Sequence, residues 1–152
     1  MPVTRRSATV ALPPAELWQT VADPHQLSRW WPRVERVEGV SGQGFTLVLR
    51  SDRGALVRAD YRIGRRNKPR VVEWSQDLEG TPFARLLRSA VTTVTLEEDA
   101  ARGGTRVELR LEQKLQGSNR FGGFLVKRAA RKQLAAALDA LAEVSRSATP
   151  SG

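Results

Sequence analysis

Residues 105–146 read TRVELRLEQKLQGSNRFGGFLVKRAARKQLAAALDALAEVSR, and the spacing of the apolar residues changes within this stretch. Up to residue 115 charged and apolar residues alternate, which predicts a strand with Leu109 and Leu111 on one face. From about Asn119 to Arg146 the period becomes 3.6, which predicts one helix of about 40 Å at 1.5 Å per residue. The stretch therefore predicts a half-buried strand followed by a long helix.

The predicted helix carries its apolar residues in a stripe at positions 130, 134, 137, 138, 141 and 144. Phe121, Phe124 and Leu125 lie outside this stripe, because at about 100° per residue Leu125 is roughly opposite Leu134. Two interpretations are open. These residues form a mobile mouth of a cavity or a membrane-touching patch, or they pack against the segment at residues 30–31.

The first hundred residues predict one strand, two short helices and then further strands. Alternation from Thr4 to Leu12 indicates a strand, and the prolines at positions 13, 14 and 24 begin two short helices that end near Val21 and Trp30. After them, β-branched and aromatic residues are separated by turns rich in Gly, Pro, Asn and Asp. Six strands are predicted after the short helices, at residues 34–40, 45–50, 55–63, 70–76, 83–97 and 105–115, the last being the strand described above. Their short connections predict antiparallel neighbours.

Together these elements predict an α+β fold in which a curved antiparallel β-sheet wraps around a long C-terminal α-helix. A sheet with one solvated face must cover its other face, and the terminal helix is the only predicted element long enough to do so. We expect a cavity between sheet and helix that binds apolar molecules. We also expect a single domain over residues 1–146 and a flexible polar tail over residues 147–152.

The composition of the 152 residues narrows the possible functions. Without cysteine the chain has no disulfide scaffold, cysteine nucleophile or thiolate metal ligand. A metal site would need carboxylates for nearly every ligand, because His25 is the single histidine. We therefore expect no metal, no cofactor and no catalytic residue, with His25 at the surface of a helix junction. No apolar run reaches the roughly 18 residues that span a bilayer, and no signal peptide is recognised, so we expect a cytoplasmic location.

Positive charge is the second compositional signal. Lysine and arginine number 25 against 16 aspartate and glutamate residues, which gives a formal net charge of +9. The cations concentrate between Arg50 and Arg70 and between Lys114 and Lys132, and the second run contains no acidic residue. Such density can attract an anionic surface, either a membrane or RNA, but a solvated cationic surface is the simpler account.

Several short motifs resemble one superfamily in their order and spacing. They are Pro13, Pro14 and Ala15 before Leu17, Trp18 and Val21, then Asp23, Pro24, Leu27, Trp30 and Trp31, later Gly104 to Val107, and Leu134, Leu138 and Leu141. From about Val3 to Val144 the chain resembles the START/Bet v 1-like (SRPBCC) superfamily, specifically its polyketide cyclase/dehydrase and lipid-transport group. The resemblance implies the helix-grip fold and a hydrophobic ligand between the long helix and the sheet. It implies no particular reaction, because the group combines aromatase/cyclases with lipid and coenzyme Q carriers.

The predicted site combines apolar walls with a few polar groups. Strand parity places Tyr61 on the inner face and puts Gln76 and Gln113 on the same side as their apolar neighbours. A buried amide is costly without a hydrogen bond, which a polar group of the ligand, or water at a strand end, would supply. The predicted ligand-binding residues are Trp30, Trp31, Phe45, Leu47, Tyr61, Trp74, Gln76, Phe83, Leu109, Leu111, Gln113, Phe121, Phe124, Leu134 and Leu138.

Three functions follow from these patterns as hypotheses. The first is non-enzymatic binding or carriage of a hydrophobic small molecule such as a lipid, an isoprenoid or a polyketide-like aromatic. The second is a polyketide cyclase/dehydratase-type enzyme, in which Tyr61 with an inward Arg or Gln would handle protons. The third is a basic domain that docks on RNA or an anionic membrane. The inward strand positions offer few ionisable groups, which favours binding over catalysis.

Overall fold

Seven antiparallel strands form one sheet, and a long helix follows the last strand. The computed structural model describes residues 3–117 and 120–148, without the side chains of residues 82, 120–122, 147 and 148. The strands are β1 (Val3–Val10), β2 (Val34–Glu38), β3 (Gly44–Arg50), β4 (Leu56–Asn67), β5 (Val71–Asp77), β6 (Leu87–Glu98) and β7 (Thr105–Leu115). The helices are α1 (Pro14–Val21), α2 (Leu27–Trp30) and α3 (Arg120–Ala148), with short 3-10 helices at Pro24–Gln26 and Pro82–Arg85. The order across the sheet is β1-β7-β6-β5-β4-β3-β2.

Prolines and a capping carboxylate begin the short helices between β1 and β2. Pro14 is the first residue of α1, where its fixed φ suits the helix and its missing N–H would have no helical partner. Asp23 caps the next 3-10 helix, since its carboxylate accepts the backbone N–H of His25 at 3.0 Å. α1 buries one apolar face made of Leu17, Trp18 and Val21. These local signals position α1 and α2 against the same side of the sheet as α3.

Alternate residues of the central strands face α3, and we call this side of the sheet the inner face. In the β6–β7 ladder Val94 is opposite Leu109, and both are fully buried. α3 packs mainly on β1 and also contacts α2 and β7. Leu134 and Leu141 of α3 are fully buried, as the predicted apolar stripe requires.

The buried apolar residues form two clusters. The main core lies on the inner face and contains all four tryptophans together with Leu134 and Leu141. A smaller second cluster lies where β5 ends, β6 begins and β7 ends. It contains Leu78, Leu87 and Ala90, with Phe83, Ala84, Leu115 and Val126 packed against them. The inner face therefore has an apolar centre and a separate apolar group at one end.

A close approach of two backbones joins the end of β1 to the start of β7. Gly104 has a φ of +85°, and a Cβ there would lie 2.3 Å from the carbonyl oxygen of Val10. Glycine alone fits this combination of backbone conformation and space. The next residue, Thr105, is fully buried, and its hydroxyl donates to the carbonyl oxygen of Leu12 at 2.6 Å. This junction fixes the C-terminal end of β1 against the start of β7.

The predicted α+β class, antiparallel sheet and terminal helix are confirmed. The prediction that a strand begins at Phe83 is wrong. Proline cannot donate to a strand ladder, and Pro82 begins a 3-10 helix instead, so β6 starts at Leu87. β4 also continues beyond its predicted end to Asn67.

The predicted domain boundary at residue 146 stays a prediction. α3 reaches Ala148, and residues 149–152 of the predicted tail lie outside the described residues. Within residues 3–117 and 120–148, no helix has the combination of length and apolar character needed to cross a bilayer.

Candidate functional site

Five aromatic rings meet on the inner face, and we call them the aromatic cluster. The ring centroids of Trp30 and Trp31, at the end of α2, lie 6.4 and 6.3 Å from that of Trp74 on β5. Phe45 on β3 meets Trp74 edge-on at 6.0 Å and stacks on Tyr61 of β4 at 5.4 Å. These rings fill the inner face over β3 to β5, whereas α3 packs mainly on β1.

Two indole N–H groups of the aromatic cluster lack a hydrogen bond. The Nε1 atoms of Trp30 and Trp74 are both buried and have no partner in the part of the chain that the structure describes. An indole nitrogen can only donate, and an unpaired buried donor costs about 1–3 kcal/mol. The aromatic cluster therefore presents two donors that no acceptor in the described part of the chain satisfies.

Polar side chains cross the inner face beside the aromatic cluster. Tyr61 on β4 is opposite Gln76 on β5, and Gln113 on β7 is opposite Ala90 on β6. We call Tyr61, Gln76 and Gln113 the polar row, which lies between the main core and the second cluster. The buried Oε1 atom of Gln113 accepts no hydrogen bond from the described residues. Burial raises the pKa of Tyr61 to about 12, so its hydroxyl remains protonated and able to donate at neutral pH.

Thr4, a buried polar residue of the inner face, is missing from the predicted site. Thr4 on β1 is opposite Leu111, and its hydroxyl is buried with no hydrogen-bond partner among the described residues. The sequence contained the signal for it, because Thr4 has the same strand parity as the apolar residues Ala8 and Val10. A search for polar residues at inward positions of the first strand would have found it.

The structure brings most of the predicted ligand-binding residues together. Nine of them are buried in the main core: Trp30, Trp31, Phe45, Leu47, Trp74, Leu109, Leu111, Leu134 and Leu138. Tyr61 packs against this group, and Gln76 and Gln113 are half-buried beside it. Contact of these residues with a ligand stays a prediction.

Three residues singled out from the sequence lie elsewhere, and a fourth side chain is outside the described part of the chain. Phe83 packs in the second cluster, because it belongs to the 3-10 helix before β6. Phe124 is exposed, and the side chain of Phe121 lies outside the described residues. His25 is exposed at the helix junction, as expected, with its Nδ1 atom 3.0 Å from a carboxylate oxygen of Asp23.

Two surface depressions lie on the part of the sheet formed by β2, β3 and β4. The larger has a volume of about 560 Å³ and is lined in part by Arg36, Val48 and Arg58. The smaller has a volume of about 360 Å³ and is lined in part by Glu35 and Arg50. Neither is lined by a predicted ligand-binding residue, since those residues pack against one another. The internal cavity between sheet and helix therefore stays a prediction.

Ion pairs neutralise part of the first basic run. Arg50 donates to both carboxylate oxygens of Glu35, at 3.1 and 3.0 Å, and thereby lowers the pKa of that carboxyl. Arg36 and Arg58 donate to Glu38 at 2.8 and 2.9 Å, and these bonds lower the pKa of Glu38. The charge that the sequence places in one run is thus divided in the folded chain between paired arginines and exposed cations further along β4.

Comparisons with known proteins agree with this architecture. A family model described as polyketide cyclase / dehydrase and lipid transport matches residues 1–146. No curated protein matches the sequence at a significant level. A START superfamily protein from Mycobacterium smegmatis has a similar structure, with a TM-score of 0.77 at 12% identity, over 97% of this chain and 99% of that chain.

Two further solved structures are similar. The di-domain ARO/CYC BexL from the BE-7585A biosynthetic pathway has a TM-score of 0.78 at 13% identity, over 98% of this chain and 51% of that chain. The protein XoxI from Bacillus cereus has a TM-score of 0.76 at 17% identity, over 95% of both chains. At such low identities these similarities show a shared fold, which is the helix-grip fold.

Proposed function

Because the chain belongs to the polyketide cyclase / dehydrase and lipid transport family, we propose that it binds an apolar small molecule that carries a hydrogen-bond acceptor. The family and the START-like structural neighbours support a fold that binds hydrophobic ligands. The proposed ligand lies between the inner face and the helices, against the aromatic cluster. Burial of its apolar area supplies affinity at about 25 cal/mol per Å².

The observation that carries the proposal is the pair of unpaired indole N–H groups at Trp30 and Trp74. A carbonyl oxygen has two lone pairs and is a suitable acceptor for such donors. A hydrocarbon would leave both donors unpaired, and their burial cost would remain. Among lipids, isoprenoids and polyketide-like aromatics, this favours a ligand with an oxygenated ring over one that presents only an alkyl chain.

The polar row supplies the remaining polar contacts in this proposal. The unpaired amide oxygen of Gln113 is an acceptor that suits a ligand hydroxyl. Gln76 is half-buried beside Tyr61, so we assign the entry of the ligand to this end of the aromatic cluster. Because the rings of the aromatic cluster contact one another, an entering ligand must displace some of these side chains. Binding is therefore expected to change the tryptophan fluorescence.

Tyr61 also bears on the alternative, a cyclase or dehydratase that acts on a poly-β-keto chain. The family description and the position of Tyr61 opposite Gln76 favour this alternative. An efficient acid–base catalyst has a pKa near the working pH, whereas burial raises the pKa of Tyr61 to about 12. We therefore favour binding without catalysis, and we retain the cytoplasmic location as a prediction.

The proposal is tested by equilibrium dialysis against 9-fluorenone and fluorene, two tricyclic probes of similar shape that differ by one carbonyl group. Fluorenone is expected to bind about five- to tenfold more tightly, which is the value of one net hydrogen bond of about 1 kcal/mol. Equal affinity for both probes, or binding of neither, would contradict the proposal.

Variants of the tryptophans locate the site of the effect. Trp30→Phe and Trp74→Phe keep an aromatic ring and remove the donor, so each should reduce the advantage of fluorenone over fluorene. Trp18→Phe is the matched control, because Trp18 is buried in the same main core and its indole nitrogen is not among the unpaired groups. If the Trp30→Phe/Trp74→Phe double variant still binds fluorenone more tightly than fluorene, the carbonyl group is bound by residues other than these two tryptophans.

The natural ligand and the enzymatic alternative need a separate measurement. Native mass spectrometry of protein purified from its own host, followed by extraction, identifies a molecule that copurifies. Conversion of that molecule by the wild-type chain, with loss of conversion in Tyr61→Phe, would support the enzyme. Unchanged recovery of the molecule from both proteins would support carriage.

A further inference from the structure

Three large apolar side chains are exposed near the start of α3. Phe124 and Leu125 expose 66% and 61% of their surfaces, and Leu86, just before β6, exposes 52%. The interpretation that Phe124 and Leu125 pack against residues 30–31 is therefore wrong. Scattered exposed leucines need no explanation, but exposed apolar residues that lie together mark interaction sites.

Backbone and packing contacts place these three side chains at the same end of the molecule. The backbone N–H of Gln116, which leads into α3, donates to the carbonyl oxygen of Leu86 at 2.8 Å. In α3, Val126 packs on the second cluster, to which the first residue of β6 also belongs. Phe124 and Leu125 precede Val126 and therefore lie near the turn that contains Leu86. We call Leu86, Phe124 and Leu125 the apolar tip.

Cations surround the apolar tip. At about 100° per residue, Phe124, Leu125, Arg128, Arg131 and Lys132 fall within about 120° of one another around the helix, and all five are exposed. Exposed cations also stand on the neighbouring turn and strands, at Arg85, Arg88 and Lys114. Within the described residues, none of these six cations forms an ion pair. Arg128, Arg131 and Lys132 of the second basic run thus lie on the same side of α3 as the exposed apolar residues.

We propose that this end of the protein docks on the surface of a lipid bilayer that contains anionic lipids. The apolar tip enters the boundary between headgroups and acyl chains, and the six cations contact the headgroups. Helices that lie in this boundary combine bulky apolar residues with lysine and arginine in the same way, and the long cationic side chains reach outward from it. Each cation near an anionic membrane strengthens binding by about fivefold. This proposal does not depend on the identity of the bound ligand.

Charge complementarity together with the apolar tip favours lipid over RNA or an acidic protein. A nucleic-acid site places aromatic rings for base stacking among its cations, and here one phenylalanine stands beside two leucines. The chain also contains an internal comparison, the tip of the β4–β5 hairpin at residues 62–70. It carries five exposed cations but no exposed large apolar side chain. The antiparallel register places this hairpin tip at the opposite end of the sheet.

The test is cosedimentation of the full chain with vesicles of phosphatidylcholine alone and with phosphatidylcholine containing phosphatidylserine. The wild-type chain is expected to bind the phosphatidylserine vesicles at least about tenfold more tightly, and less tightly as salt is raised. Phe124→Ser/Leu125→Ser and Arg128→Glu/Arg131→Glu should each lose at least about tenfold in binding. Arg65→Glu/Arg66→Glu changes the net charge by the same amount at the hairpin tip and should lose less than about twofold.

Each contrary outcome overturns the proposal. Equal binding to both vesicle types would exclude anionic lipid as the partner. Equal losses of vesicle binding in the helix and hairpin charge variants would show that binding depends on the net charge of the protein and not on this surface. Tight binding of an RNA oligonucleotide without vesicle binding would assign the surface to nucleic acid. The substituted side chains are exposed, and circular dichroism verifies folding. Fluorenone affinity should be unchanged in all of these variants, so failure of docking is separate from failure of ligand binding.

Discussion

Tyr61 is the only tyrosine in the sequence, so titration of phenol absorbance reports this single side chain. Burial raises its pKa to about 12, whereas a tyrosine in an unfolded chain ionises near pH 10. At pH 11 about one tenth of the folded molecules and about nine tenths of the unfolded molecules should carry the phenolate. The ultraviolet absorbance of the phenolate, recorded against pH in the folded chain and in denaturant, measures both midpoints.

The difference between the pKa values of Tyr61 in the folded and the unfolded chain also predicts how stability depends on pH. Two pKa units correspond to about 2.7 kcal/mol in favour of the neutral phenol. Below pH 10 both states hold the proton, and this contribution to the free energy of unfolding is fully present. Above about pH 10 the unfolded chain loses its proton first, so stability falls until about pH 12. Tyr61→Phe has no proton to lose, and its stability should fall less over that range in urea unfolding followed by tryptophan fluorescence.

A midpoint near pH 10 in a chain with native circular dichroism would refute this reasoning, because it would place the phenol in water. Identical declines in stability for the wild-type chain and Tyr61→Phe would refute the linkage to folding. Saturation with 9-fluorenone offers a further check. A ligand that covers the polar row should shield Tyr61 from water and move its midpoint to higher pH.

Two pairs of substitutions test the packing that positions the site. Leu134→Ala removes three buried carbons and leaves a cavity, so it should lower the free energy of unfolding, measured in urea, by about 2–5 kcal/mol. Leu125 is exposed, so Leu125→Ala should change that free energy by less than about 0.5 kcal/mol. Similar losses in the two variants would contradict the assignment of Leu134 to the buried face of α3. Gly104→Ala should lower the melting temperature more than Gly103→Ala. Both glycines have positive φ, but only a Cβ at position 104 would meet the carbonyl oxygen of Val10, and equal losses would argue against that close approach.

The predictions that succeeded depend on short stretches of sequence. Alternation over residues 105–115 and the 3.6 period after them located β7 and α3, because side-chain direction repeats along a regular backbone. Parity also placed Tyr61, Gln76 and Gln113 on the inner face. The match of residues 1–146 to the family confirms the resemblance that the motifs indicated.

The predictions that failed concern the ends of elements. Phe83 continues an apolar pattern, but Pro82 removes a backbone donor and the chain forms a 3-10 helix there instead of a strand. For Phe124 and Leu125 two alternatives were open, a mobile mouth or membrane-touching patch on one side and packing against residues 30–31 on the other. Only the packing alternative failed, and the choice depended on how α3 is rotated on the sheet. That rotation is set by Ala130, Leu134 and Leu141 further along the helix, which are buried.

The sequence by itself determined the order of the elements, the inward and outward faces of the strands, the helix-grip architecture and the family. The order of the elements and the faces of the strands follow from residue spacing, which is a local property, whereas the architecture and the family were indicated by the resemblance of the motifs. Only the tertiary structure decided that Trp30 and Trp74 bury indole donors without a partner among the described residues, because hydrogen-bond satisfaction depends on residues far apart in the chain. It also decided that Leu86 and Phe124 lie at the same end of the molecule and that Arg50 pairs with Glu35. Those relations arise when strands pair and a helix docks, and no short window of sequence contains both partners.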